Sequence, residues 1–171
     1  MAEKIIYWIG QSFGFVAFAL TFVSYQCKTQ KKLLVVQTFA TVSILISYGL
    51  LGAFAGMALN VCAVVRNLVY YNRGKKIFSG KLIPYLLAAL MAIVSILSWQ
   101  GPITLLITAG LMINTVFLSF DNPQRLRYSI LLTSSLVLLY NIFVFSMGGI
   151  FNETIAIISS VIGIIRYRKL K

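Results

Sequence analysis

Residues 28–81 read KTQKKLLVVQTFATVSILISYGLLGAFAGMALNVCAVVRNLVYYNRGKKIFSGK, two apolar stretches set back to back between basic clusters. Lys28, Lys31 and Lys32 precede the first stretch, and Arg73, Lys75, Lys76 and Lys81 follow the second. The turn between them, Gly52–Gly56, carries no charge. A helix needs about 20 apolar residues to cross a bilayer. Two such helices joined by a short uncharged turn bring the chain back to the side it left, so both basic clusters face one compartment. The positive-inside rule makes that compartment the cytoplasm.

The same pattern continues on either side of this hairpin. Apolar stretches near 7–26, 33–51, 56–71, 82–98, 102–119, 127–146 and 151–167 read as seven transmembrane helices. Arg125 and Arg127 follow the fifth, and Arg166, Arg168, Lys169 and Lys171 close the seventh. The opposite-facing connections hold no Lys or Arg apart from Lys4. An odd number of crossings puts the amino terminus outside and the carboxyl terminus inside. The expectation is an all-α integral membrane protein.

Composition agrees. Apolar residues make up 60% of the chain and charged residues 11%, with a mean hydropathy of +0.92. Little is left to solvate a soluble domain. The net charge of +12 sits beside helix ends, where it sets topology and meets anionic lipid at the cytoplasmic face; nucleic acid is not the expected partner. The apolar run from Ile5 is too long for a cleaved signal peptide and reads as the first helix. Cys27 and Cys62 form no disulfide framework, and with no histidine neither a metal nor another cofactor is expected.

Small and polar residues mark the inward faces. Gly10, Gly14, Ala17, Thr21 and Ser24 form one stripe on the first helix, where a neighbouring backbone can approach closely. Gly56, Asn60, Ala63 and Asn67 form another on the third, and Asn152, Ala156, Ser159 and Gly163 a third on the seventh. A shift of about 96 positions lays the last of these on the one before it. Three helices, a linking helix and three more then divide the chain into residues 1–76, 77–100 and 101–171. The odd linker gives the two units one orientation, a parallel repeat about an axis along the membrane normal.

Ser24-Tyr25-Gln26-Cys27-Lys28 and Arg66-Asn67-Leu68-Val69-Tyr70-Tyr71, within this 3+1+3 plan, resemble the bacterial inner membrane YgjV family. The plan itself resembles the SWEET, PQ-loop and PnuC-type transporters. That resemblance implies a solute pathway between two rocking three-helix units. The chain departs from the PQ-loop pattern: Tyr25-Gln26 lacks the proline, and Pro123-Gln124 falls in the loop after the fifth span. Both Trp8 and Trp99 sit at expected interfaces, so the Asn and Trp pairs of sugar carriers are not matched.

Polar side chains within a membrane face a bundle interior or a wet cavity. Gln11, Asn60, Arg66, Asn67, Thr108, Asn114, Tyr140, Asn141 and Ser159 are therefore the candidate substrate-binding residues. For each single amide or hydroxyl the competing reading is a bond between helices. For Arg66 it is an arginine snorkelling to the headgroups. The acids Glu3, Asp121 and Glu153 fall at expected ends or loops, which leaves no intramembrane carboxylate to relay protons. Nor is there a general base for catalysis. The expected function is a facilitator for a small polar metabolite, sugar-like, nucleoside- or vitamin-like or mildly anionic, working by alternating access without proton coupling. A non-transporting structural or assembly protein is the alternative. Neither reading fixes whether the chain forms homo-oligomers.

Overall fold

The computed structural model describes residues 2–25, 30–73, 80–120 and 123–168. The described residues form seven helices: α1 Ala2–Tyr25, α2 Gln30–Leu50, α3 Phe54–Tyr71, α4 Ile83–Leu97, α5 Thr104–Phe117, α6 Pro123–Phe143 and α7 Met147–Arg168. Gln26, Cys27, Lys28, Lys75, Lys76, Asp121, Lys169 and Lys171 lie outside the described residues. α1, α2, α3 and α7 contain segments long and apolar enough to cross a membrane. α4 and α5, at 15 and 14 residues, are shorter than the expected spans. Pro84 fixes the first turn of α4, and the Gly101-Pro102 corner delays α5 to Thr104. Pro123 does not sit in a loop, as expected, but opens α6, where its missing N–H costs nothing.

Six helices close a ring in the order α1, α2, α3, α5, α6, α7 and back to α1, with α4 outside against α3 and α5. Its contact with α5 includes the pair Ser95 Oγ and Thr108 Oγ1, 2.6 Å apart. The outer surface is apolar: Trp8, Phe39, Leu86, Ile96, Leu97, Phe143 and Ile162 are all well exposed. Such a surface suits lipid, and the polar backbone is spent inside helices as lipid requires.

The α2–α3 and α6–α7 turns have one backbone design. In the first, Ala53 N donates to Tyr48 O (2.9 Å) and Gly52 N to Gly49 O (3.3 Å). In the second, Ser146 N donates to Asn141 O (3.0 Å) and Phe145 N to Ile142 O (3.2 Å). Both are Schellman closures, which demand a left-handed residue just past the helix. Gly52 takes that place at φ 74° and Phe145 at φ 53°. Every paired position differs by 93 residues.

A glutamine clamps each turn from the neighbouring element. Gln100, in the α4–α5 connection, donates Nε2 to Gly52 O (3.0 Å) and accepts Ala55 N on Oε1 (2.7 Å). Gln11, on α1, donates Nε2 to Phe145 O (2.6 Å) and accepts Met147 N on Oε1 (2.9 Å). Gly52 and Phe145 are again 93 apart. These bonds gather the α2–α3, α4–α5 and α6–α7 turns at one end of the bundle, the turn end. At the other end Tyr70 Oη reaches Thr115 O (2.7 Å), Arg73 reaches Ser119 O (2.8 Å) and Arg127 reaches Gly163 O (3.0 Å). That end carries Arg73 and Arg127, and we call it the basic end.

The small-residue stripe of α1 faces inward as expected. Gly14 meets α7 at Gly148, where an added Cβ would lie 2.1 Å from the Gly14 carbonyl carbon. Ala17 is buried and Ser24 fully so. Because backbone stands against backbone, no side chain can yield, and overpacking of this kind costs about 1–3 kcal/mol or more. Gly148→Ala is expected to lower the melting temperature in detergent well below that of Gly80→Ala, whose Cβ makes ordinary contacts with Ile83. Equal melting of the two variants would show that the helices do not touch there.

Candidate functional site

A cavity of about 370 Å³ lies at the centre of the ring. All six ring helices line it and α4 does not. Its wall follows the register of the turns. Gln37, Ala40, Thr41, Ile44 and Tyr48 of α2 correspond at 93 residues to Ile130, Thr133, Ser134, Val137 and Asn141 of α6, and all ten line it. Ala17 and Thr21 of α1 likewise match Gly110 and Asn114 of α5. On α3 and α7, Asn60 matches Glu153, Ala63 matches Ala156 and Arg66 matches Ser159. These positions match at 93 residues, whereas the stripes in the sequence overlay at about 96. A slip of three residues turns a helix by about 300°, 60° short of a full turn, so the stripes still look aligned.

The turn end of the cavity is stoppered. Tyr48 Oη donates to Asn141 Oδ1 (2.7 Å), linking two positions that correspond across the halves. Tyr140 Oη accepts Gly56 N (3.0 Å), and its ring meets Tyr48 edge-on at 5.7 Å. Gly56 and Gly149 leave the room this needs. A Cβ on Gly56 would stand 2.8 Å from the Tyr48 ring, and one on Gly149 would overlap the Asn141 amide at 2.1 Å. From this floor the lining runs to Leu33, Leu118 and Arg127 towards the basic end.

Five of the nine sequence-predicted residues line the cavity: Asn60, Arg66, Asn114, Asn141 and Ser159. Of the other four, three join separate elements and Asn67 holds Arg66 on their shared helix. Gln11 is the clamp on the α6–α7 turn, Thr108 bonds Ser95, and Tyr140 caps α3 through Gly56. Asn67 accepts the Arg66 guanidinium on Oδ1, from Nε at 3.1 Å and Nη2 at 2.9 Å. Arg66 itself is 5% exposed and sits in the cavity wall, so it does not snorkel to headgroups.

Glu153 is the residue that the sequence reading misplaced. It is no outer-turn residue: α7 starts at Met147 because Ser146 Oγ accepts Gly149 N (3.3 Å) as an N-cap. Glu153 therefore stands in the second turn of the helix, inside the candidate span Met147–Ile165, and lines the cavity. Asn152 Nδ2 donates to its Oε1 (3.0 Å), and Ser134 bonds it from α6. The expectation that every acid falls at an end or in a loop does not hold for Glu153. The Gly148-Gly149 pair hid this, since adjacent glycines read as a turn while here they serve close packing. Thr41 and Ser134 also line the cavity unforeseen, and Asn152 of the inward stripe lines it too.

The family model of the Imp-YgjV bacterial inner membrane proteins matches residues 8–171. The chain belongs to that family. No curated protein and no solved structure matches it. The protein is thus a bacterial inner membrane protein with transmembrane helices, folded around a cavity whose wall mixes apolar side chains with polar and charged ones.

The two kinds of polar residue respond differently to removal. Gln11→Leu strips partners from Phe145 O and Met147 N, and a buried group left unbonded costs about 1–3 kcal/mol. Asn114 lines the cavity with no side-chain partner among the described residues. Asn114→Ala is expected to change stability by less than about 0.5 kcal/mol. Thermal unfolding of the two variants in one detergent checks the contrast; equal losses would remove the distinction between clamp and cavity wall.

Proposed function

We propose that this protein carries a small polar solute across the bacterial inner membrane through the ring cavity. The observation that supports the reading is the cavity itself, whose volume lies within the range of small-molecule sites, about 300–1,000 Å³. Its wall offers amides, hydroxyls, two arginines and a carboxylate. A purely structural bundle gains nothing from such groups, because polar side chains in a membrane are costly unless they serve a ligand, water or one another. The same wall suits reversible binding better than bond-breaking chemistry, so the reading is of a carrier and not an enzyme.

In this reading all seven helices cross the membrane, α4 and α5 with local thinning of the bilayer. The helices group as α1–α3, the linker α4 and α5–α7, a parallel repeat in the manner of the SWEET, PQ-loop and PnuC-type carriers. The 93-residue correspondence of the turns and the cavity wall supports it. The basic end is cytoplasmic by the positive-inside rule, so the amino terminus is periplasmic. The Tyr48–Asn141 and Tyr140–Gly56 bonds then form the closed periplasmic side, and alternating access requires them to part as the two units rock. Glu153 in the wall removes the ground for excluding proton coupling.

The structural alternative draws on Gln11, Thr108 and Tyr140, which join one element to another, and water access separates the two. A cysteine at position 60, in a chain with Cys27→Ser and Cys62→Ser, is expected to react with a membrane-impermeant thiol reagent applied from the basic face. From the turn-end face it is expected to react at least tenfold more slowly, since the tyrosine floor intervenes. A thiol inert from both faces in folded protein would overturn the carrier reading.

A further inference from the structure

Two opposite charges stand in the cavity without neutralising each other. Arg66 on α3 and Glu153 on α7 occupy opposite places in the ring, and both line the cavity. Counted from the helix starts at the turn end, Glu153 lies about 9 Å deep and Arg66 about 18 Å. Each is bonded to neutral groups: Arg66 to Asn67 and Thr115, Glu153 to Asn152 and Ser134. Arg127 also lines the cavity, but its guanidinium is bonded at Gly163, about 15 Å along α7 from Glu153. A desolvated charge that lacks its counter-charge is costly. A bundle that keeps two of opposite sign staggered along one cavity is matched to a ligand that brings both counter-charges.

The donor and acceptor inventory fixes which charge goes where. At the depth of Glu153 the donors Asn152 Nδ2 and Ser134 are spent on Glu153 itself, and acceptor oxygens are left to a ligand. Asn60, its counterpart on α3, spends its Nδ2 on Gly56 O (2.8 Å), which leaves its Oδ1 without a partner among the described residues. A primary ammonium, with three N–H donors, suits a carboxylate and an amide oxygen. Deeper, the site turns to donors. Of the five guanidinium N–H bonds of Arg66, one at Nε and one at Nη2 point to Asn67 Oδ1, and one at Nη1 reaches Thr115 Oγ1 at a long 3.4 Å. The remaining N–H pair suits an acidic group, and the unpartnered amide of Asn114 lines the same cavity.

We propose that the cavity binds a zwitterion, its ammonium at Glu153 and Asn60 and its acidic group at Arg66. The inference rests on the carrier reading and names the chemical class of the solute. The stagger of the two charges favours an elongated molecule, with its amine and its acid at opposite ends.

Calorimetric titration of the full chain in detergent tests this with three probes of matched length. These are 6-aminohexanoate, 6-aminohexanamide with only the ammonium, and N-acetyl-6-aminohexanoate with only the carboxylate. The zwitterion is expected to bind about tenfold or more tightly than either single-charge probe. Glu153→Gln is expected to erase its advantage over the N-acetyl compound and keep its advantage over the amide. Arg66→Gln is expected to do the reverse. Should Arg66→Gln fail to fold, the wild-type panel and Glu153→Gln decide alone. Equal binding of the three probes, no binding of the zwitterion, or a Glu153→Gln chain with unchanged preferences would overturn the assignment. Entry of a neutral polyol into proteoliposomes, with no zwitterion preference, would overturn this inference and leave the carrier reading standing.

Discussion

Two glutamine side chains hold the turn end of this bundle, and the placement of the cavity depends on them. A Schellman turn leaves backbone groups facing outward just where the next helix begins, and in an apolar surround each unbonded group is expensive. Gln100 answers those groups on the α2–α3 turn and Gln11 those on the α6–α7 turn, each with both ends of one amide. The clamp sets the height at which α3 and α7 start. Asn60 and Glu153 consequently stand at one level, and Arg66 stands two turns deeper.

The clamps also compensate for differences between the halves. α7 has its own N-cap, Ser146, whereas α3 begins after Ala53, which has no side chain to offer. Gln100 bonds Ala55 N in the place such a cap would serve. At the left-handed position the first turn has Gly52, for which φ 74° is free, while the second holds Phe145 at φ 53°. A bulky residue there costs about 1–2 kcal/mol. The Gln11 bond to Phe145 O and the Ser146 cap help to offset that strain.

Much of the fold was legible because helices in lipid obey simple rules. Length and basic flanks located all seven helices to within a few residues, and the Gly14 stripe named the face that meets α7. The site was legible only in part, for a physical reason. Periodicity gives the face of a helix on which a residue lies, not the partner that the face meets. Gln11, Asn67, Thr108 and Tyr140 share inward faces with Asn60 and Asn141, yet their partners are turns, an arginine and a neighbouring helix. Glu153 was lost because its helix begins with two glycines, whose role lies in contacts with Gly14 and Asn141 that no local pattern announces. The register escaped for a related reason, since a three-residue slip preserves a stripe while changing every pairing.

That register carries the last step. In corresponding frames, Asn60 faces Glu153 across the ring and Arg66 faces Ser159. At these four positions the first three helices present a cation and an amide, and the last three a carboxylate and a hydroxyl. Turn bonds and many cavity positions match at an offset of 93 residues, whereas the charged side chains of the wall do not. A scaffold so nearly alike on both sides gives a solute no preferred orientation through shape alone. The stagger of Arg66 and Glu153 supplies it: the cavity has an acidic level near the tyrosine floor and a basic level towards the basic end. A ligand with two unlike ends has one favourable way to lie there.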